Sequence, residues 1–519
     1  MGLLAAGCVN VDHEVARRPS ELWKPPAEAY PEGHVVVPGP RPSRASDLLG
    51  TKALDLPTIL DIALENNPET RASWYAAKAR AARYGQSQAP YYPNITLDAE
   101  LNRTYLKNEF FPGIENYTSY GPSLSMTYLL FNFGKRSATA DAARESLYAA
   151  NFAYNQTYQD VVQQVVTAYY DLNAANASLE ATRASLENAQ ATFDAADTRL
   201  NTGLGNKQDM LRTLADVKTV EAQLEGDFAQ IEQARANLAS SMGIKVGEYL
   251  RIATPEAPPS FEGIDLNINA LVALALRQRP DVLQAYAETR SAEYDLEAAK
   301  ADLWPEIGIE VEGVYNEYES RDFNPGEFFR AALVLEWDIF QGFNKKYTIE
   351  ETRATLRQQQ AALDNQKLEV VSNVWSFYFT YRSAIKQVEA SREALTAQQE
   401  AYEAISIGYE TGINSLLDLL TAQQDLDTVR QQLVDDESTL ANSIANLSNS
   451  VGTLPQPAQR LERARTRQEV PEKEAEAEAV DGLFRDSDPD PEALEPKWME
   501  EDSPPAKAQA DNPQSSQGA

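Results

Sequence analysis

Two stretches of this chain carry the same series of short motifs in the same order, and the spacing between counterparts barely drifts. Asn67-Pro68-Glu69 precedes Pro93-Asn94-Ile95 by the interval that separates Arg279-Pro280-Asp281 from Pro305-Glu306-Ile307. Phe131-Asn132-Phe133-Gly134 is answered by Phe340-Gln341-Gly342, and Thr202-Gly203-Leu204 by Thr411-Gly412-Ile413. Asp209 has its counterpart in Asp418, and Ser241-Met242-Gly243 in Ser450-Val451-Gly452. From Phe131 onward the offset is constant, which chance similarity does not sustain, and so long a period excludes the short solenoid repeats. The chain therefore reads as two copies of one supersecondary unit, over residues 54–254 and 255–454.

Each unit opens with a helical pattern, over 57–88 and 269–303, ended by a proline that cannot continue a helix. A β-hairpin follows, over 92–131 and 305–340. Ile95, Leu97, Ala99 and Leu101 alternate with Thr96, Asp98, Glu100 and Asn102, and Leu124, Met126, Tyr128 and Leu130 alternate with Ser123, Ser125 and Thr127. In the second hairpin Ile307, Ile309 and Val311 alternate with Glu306, Glu310 and Glu312, and the partner strand runs through Ala331, Leu333, Leu335, Trp337 and Ile339. Period two places apolar and polar residues on opposite faces. Strands of about ten residues suit a tilted crossing of a bilayer, lipid on one face and water on the other. Tyr91, Tyr92, Tyr105, Tyr117, Tyr120, Tyr315 and Trp337 fall where an interfacial aromatic girdle would lie.

Beyond each hairpin there is a stretch of helical pattern far longer than a globular domain needs. Residues 135–200 contain neither Pro nor Gly, and 343–409 only Gly408 near the end. Over sixty helical residues extend about 100 Å, which calls for a coiled coil or a bundle. A glycine turn near 203 and another near 412 reverse the chain into returning helices over 208–241 and 416–450. Four strands cannot close a barrel, and open edges cannot face lipid, so membrane strands of this kind require several copies.

The net charge of −32 argues against nucleic acid as a partner. The two histidines, His13 and His34, lie outside every periodic segment, so a histidine-based metal site or catalytic triad has no member in the folded body. No cofactor, no metal and no catalytic residue is expected, and the chain is not expected to be an enzyme. No apolar run is long enough for a spanning helix.

The duplicated order of helix, two strands, long helix, turn and returning helix resembles the TolC-like outer membrane efflux family over about residues 54–454. The resemblance also rests on Phe-x-x-Gly after the second strand and on Thr-Gly-Leu or Thr-Gly-Ile turns with an Asp six residues past the glycine. It implies an α+β membrane protein and a homotrimer. Four strands per chain would make a twelve-stranded transmembrane β-barrel, continued by a long periplasmic α-helical barrel. It implies a passive exit duct for drugs, small toxic molecules or secreted protein, supplied by an inner-membrane transporter and a periplasmic adaptor protein. On this resemblance Thr202, Gly203, Leu204, Thr411, Gly412 and Ile413 lie at the periplasmic tip and meet the adaptor. Asp209, Arg212, Asp418 and Thr421 lie at its aperture. The family's second acidic position is Thr421 here, with Arg212 as its counterpart; either Arg212 pairs with Asp418 of a neighbouring hairpin and holds the tip shut, or both are ordinary exposed helix charges. Local chemistry gives the two glycines a reason of their own, because a helix reversal favours a residue at positive φ.

At the amino end, Leu3-Leu4-Ala5-Ala6-Gly7-Cys8 resembles the end of a lipoprotein signal, with Cys8 as the residue that takes lipid into the outer membrane. Residues 1–8 read as the remnant of such a signal. Residues 9–53, rich in proline, read as an extended tether along the barrel. Residues 455–519 read as a disordered acidic tail. The competing reading is a soluble or peripheral coiled-coil scaffold without a channel, which explains the helices but not the paired amphipathic strands.

Overall fold

The computed structural model of the chain describes residues 14–24, 53–105, 116–246, 251–253, 267–319 and 324–453. Cys8, most of the tether and the 455–519 tail lie outside the described residues. The elements run α1 (Leu56–Asn66), α2 (Pro68–Ser87), β1 (Asn94–Tyr105), β2 (Asn116–Phe131), α3 (Lys135–Asn201), α4 (Lys207–Ser241), α5 (Ile268–Gln278), α6 (Pro280–Ala301), β3 (Glu306–Glu319), β4 (Gly326–Glu336), α7 (Asn344–Glu410) and α8 (Leu416–Ser450). The second six follow the order of the first six, and the helix pairs α3/α7 and α4/α8 match in length, with 67 and 35 residues. None of the described helices is long and apolar enough to cross a membrane.

The expected opening helices each divide in two. Pro68 and Pro280 begin α2 and α6, and the residues before them, Asn67 and Arg279, are extended with ψ of 126°. A proline removes the helical N–H and pushes its predecessor out of the α region, yet suits the first turn of the next helix. Both breaks hook the end of a returning helix. Asn67 donates to the Ser241 carbonyl at 2.9 Å, and Arg279 donates to the Ser450 carbonyl at 3.1 Å while pairing with Asp281.

The largest core sits where α1 and α4 meet α3. Ile59, Ile62, Val161, Val165, Leu238 and Met242 are all fully buried there. A second core joins Leu271 and Ala275 of α5 to Val370 and Val374 of α7. The contact between α3 and α8 is different in kind, being a seam of polar side chains. Asn446 accepts from Gln163, Asp171 from Asn442, Gln431 from Ser178, Asp427 from Ser185 and Gln423 from Thr192. Burial pushes the Asp427 carboxyl up, against the pull of the Ser185 hydroxyl, and pushes up Asp216 of α4, which accepts from Gln423.

Residues 14–24, expected only as part of a tether, lie against α2, α3 and α6. Trp23 is 4% exposed, with Tyr148 and Phe152 of α3 at 5.5 and 5.2 Å between ring centroids. The helices hold this strap by its main chain. Asn155 both accepts from Trp23 N and donates to Trp23 O, each at 3.0 Å, and Tyr154 donates to the carbonyls of Pro19 and Glu21. Trp74 of α2 donates to Ala16 O at 2.7 Å.

Candidate functional site

The four strands form one antiparallel sheet in the order β1-β2-β3-β4. Its register sorts the side chains. Ile95 opposes Met126 and Leu97 opposes Leu124. Met126 in turn opposes Val311, and Ile309 opposes Leu333. These residues share one face, which continues through Leu101 and Leu335, and it is bare in the single chain: Leu97, Leu101 and Leu333 are more than 70% exposed. Thr127, Glu310 and Ala332 line the opposite face, as do Ser125, Glu312 and Arg330, and Arg330 pairs with Glu310 at 3.1 Å. Strand alternation thus yields a sheet oily on one side and ionic on the other, and among the described residues of the single chain the outer edges of β1 and β4 have no strand beside them. Two details depart from the expected pattern. Strand β4 stops at Glu336, because Trp337 turns its indole N–H to Leu303 O at 3.1 Å, so Trp337 and Ile339 lie past it. Tyr117 falls on the ionic face, opposite Thr104, rather than on the apolar face with Tyr105 and Tyr120.

A band of exposed rings marks the helix end of the sheet. Phe131 and Phe133 meet edge to face, Trp304 stacks on Phe133 at 5.5 Å, and Phe340 lies against Phe343. The turn into each long helix uses two left-handed residues, Phe133-Gly134 and Gly342-Phe343. Positive φ at a phenylalanine is strained, and its recurrence at both junctions marks a bend that the surroundings enforce. Basic residues fasten the bend from the helix side. Lys135 bridges Asp302 and Glu306 at 2.6 and 3.0 Å, Arg136 donates to Pro90 O and Leu129 O, and Lys345 donates to Asp302 O.

At the far ends of the long helices stand the two turns. Helix α3 closes with Gly203 at φ 73°, and the N–H groups of Leu204 and Gly205 both return to Arg199 O. Helix α7 closes with Gly412 at φ 80°, where Ile413 and Asn414 return to Gly408 O. These left-handed glycines satisfy the last helical carbonyls. Leu204 and Ile413 are 77% and 83% exposed, while Thr202 and Thr411 turn their hydroxyls back onto helical carbonyls. The following helices are capped alike. Asn206 accepts from Asp209 N and donates to its carboxylate, and Ser415 forms a reciprocal capping box with Asp418. Hydrogen bonds from Ser415 hold the Asp418 carboxyl below the usual carboxylate range. Arg212 and Thr421 are exposed in the second turns of α4 and α8. Among the described residues of one chain Arg212 makes no ion pair with Asp418. A residue missed in the sequence joins the two turns instead: Arg199 of α3 donates to Tyr409 O of α7 at 2.6 Å. Its position four residues before the turn glycine was visible, but a single arginine on a charged helix reads as solvated.

The family model for outer membrane efflux proteins matches residues 59–244 and 271–453, most of the chain. The chain belongs to the outer membrane efflux protein family. This efflux protein is 30% identical to protein CyaE of Bordetella pertussis over 430 residues, 82% of this chain and 88% of that protein. It is 25% identical to the probable outer membrane lipoprotein SilC of Salmonella typhimurium, over 70% of this chain and 78% of that protein. The crystal structure of the outer membrane protein VceC of Vibrio cholerae has the same fold, with a TM-score of 0.69 and 18% identity, over 77% of this chain and 96% of that one. The family is one of outer-membrane channels that serve tripartite export systems, with the helical part in the periplasm.

Proposed function

We propose that three copies of this efflux protein close their sheets into one twelve-stranded barrel and their helices into one hollow cylinder. The assembly is the outer-membrane exit duct of a tripartite exporter. The observation that carries this reading is the sheet with one bare apolar face and two unpaired edges. The face needs lipid, and the edges need strands, because unpaired backbone groups are not tolerated in hydrocarbon. In a meander of four antiparallel strands β1 and β4 run in opposite directions, so β4 of one copy can continue the antiparallel ladder onto β1 of the next. Rotation then closes a ring without leaving an edge. The matching order and lengths of the elements support an internal duplication.

The duct binds no cofactor and moves its cargo passively, whether drugs, small toxic molecules or secreted protein. Thr202, Gly203, Leu204, Thr411, Gly412 and Ile413 present the tip to a periplasmic adaptor, with the exposed Leu204 and Ile413 as its apolar contacts. Asp209, Arg212, Asp418 and Thr421 surround the aperture, and Arg212 of one hairpin approaches Asp418 of the adjoining copy. Cys8 carries the lipid anchor. Conductance in planar bilayers tests this: the wild type forms discrete channels, and Arg212→Ala raises their conductance. Protein that stays soluble without detergent and carries no current would instead establish the scaffold.

A further inference from the structure

The ionic face of the sheet, which is the lumen face in the duct proposed above, is not uniform along its length. From Thr127 toward the outer end, β2 lines it with small groups, Ser125, Ser123, Gly121 and Ser119. Large rings stand level with the outer of these small groups and just past them. Tyr318 stands opposite Ser119, Tyr117 lies beside it with ring centroids 5.9 Å apart, and Phe328, 54% exposed, stands opposite Val314. The register sets two carboxylates among these rings. Asp98 pairs with Ser123, which pairs with Val314 and so lies level with Phe328. Glu100 pairs with Gly121, between the levels of Phe328 and Tyr318, and accepts from the Asn102 amide at 2.7 Å.

The carboxylates suit a water-filled bore, but the rings are not what such a bore requires. Water fills a polar lumen without help from rings, and aromatic surface turned toward water is costly. Aromatic faces with carboxylates at their level are the surroundings that a cation with an apolar body prefers, since the ring quadrupole and the negative charge both attract it. We propose that Tyr117, Tyr318 and Phe328, with Asp98 and Glu100, form a binding ring in the outer half of the barrel that takes organic cations of large apolar bulk. Three copies around the bore multiply the contacts, so that such a cation pauses there on its way out.

The inference rests on the duct reading, and a planar bilayer experiment separates the two. Tetraphenylphosphonium is added on the outer side while single-channel potassium current is recorded. The expected result is a transient block whose dwell time falls about tenfold in Tyr318→Leu with Phe328→Leu, which keeps apolar bulk but loses the π faces. Asp98→Asn with Glu100→Gln shortens the block similarly, and tetramethylammonium blocks more weakly than tetraphenylphosphonium. Wild-type channels that conduct but ignore tetraphenylphosphonium, or a block unchanged in both double variants, would overturn the ring and leave the duct standing. Absence of any current would overturn the duct and the ring together.

Discussion

Arg199 and Tyr409 tie the two turns of one chain to each other. The guanidinium donates to the Tyr409 carbonyl at 2.6 Å and its carbon lies 4.8 Å from the Tyr409 ring centroid. One side chain of α3 thus satisfies a carbonyl in the last turn of α7 and stacks on the same residue's ring. Hydrogen bonds to charged groups contribute about 2 kcal/mol. Arg199→Ala is expected to free the end of α7, with amide exchange of Gly412 and Ile413 accelerated at least about tenfold. Arg199→Lys recovers part of the protection, since it keeps charge but not the planar stack. Unchanged exchange would show that the turns hold without it.

The strap of residues 14–24 is expected to be a substantial part of the fold. Trp23→Ala removes a ring buried between Tyr148 and Phe152 and should cost about 3–5 kcal/mol. Asn155→Ala removes both hydrogen bonds to Trp23 and should cost about 1–3 kcal/mol. Thermal unfolding of the detergent-purified protein measures both, and values near zero would mean the strap merely lies on the surface.

Two glycines should respond in opposite directions to alanine. At Gly121 an added Cβ would sit 1.7 Å from the Tyr315 carbonyl oxygen, where β2 and β3 approach too closely for any side chain. Gly121→Ala should therefore displace the β2–β3 pairing and lower the yield of membrane-inserted protein. At Gly226, inside α4, nothing lies within 4 Å, so Gly226→Ala should stabilise the helix by up to about 1 kcal/mol. Equal behaviour of the two variants would contradict the geometry.

Acid should act on the seam and the tip with opposite signs. Burial raises the carboxyls of Asp427 and Asp216, so the fold favours their protonated forms. Their contribution is fully present below the ordinary carboxylate value and is lost as pH rises through the raised folded values. Asp418 is depressed by Ser415, so its cap contributes above the ordinary value and is lost as pH falls through the depressed one. Protection of the amides across the Ser185–Asp427 contact, taken relative to their intrinsic exchange rates at each pH, should rise on mild acidification, and the first turn of α8 should fray only at stronger acid. Asp427→Asn should flatten the first trend and leave the second.

Much of this architecture was legible because long elements announce themselves. The absence of Pro and Gly over 135–200 gave α3 almost to the residue, and strict alternation from Ile95 to Asn102 gave β1. What escaped was decided by neighbours or by single residues. Pro68 and Pro280 are ambiguous in the sequence, because a proline suits a first helical turn as well as it breaks a preceding helix. Trp337 looked like a continuation of alternation, until its indole found a carbonyl outside the ladder. Tyr117 looked like a girdle residue because its face depends on a register that only the paired strand fixes. The strap has no period at all, so its docking on Asn155 and Tyr154 left no trace in the sequence. At the tip, the turn glycines were readable from local chemistry, whereas Arg199 acquires its meaning only when α7 is brought beside α3.

The central claim is that this outer membrane efflux protein assembles as a closed three-fold duct. The most direct test is electron imaging of the detergent-purified protein, resolving its symmetry and cross-section. The account predicts a hollow three-fold cylinder, with a detergent belt around the sheets and a helical barrel about 100 Å long beyond it. A solid rod, or a soluble particle without a belt, would contradict it.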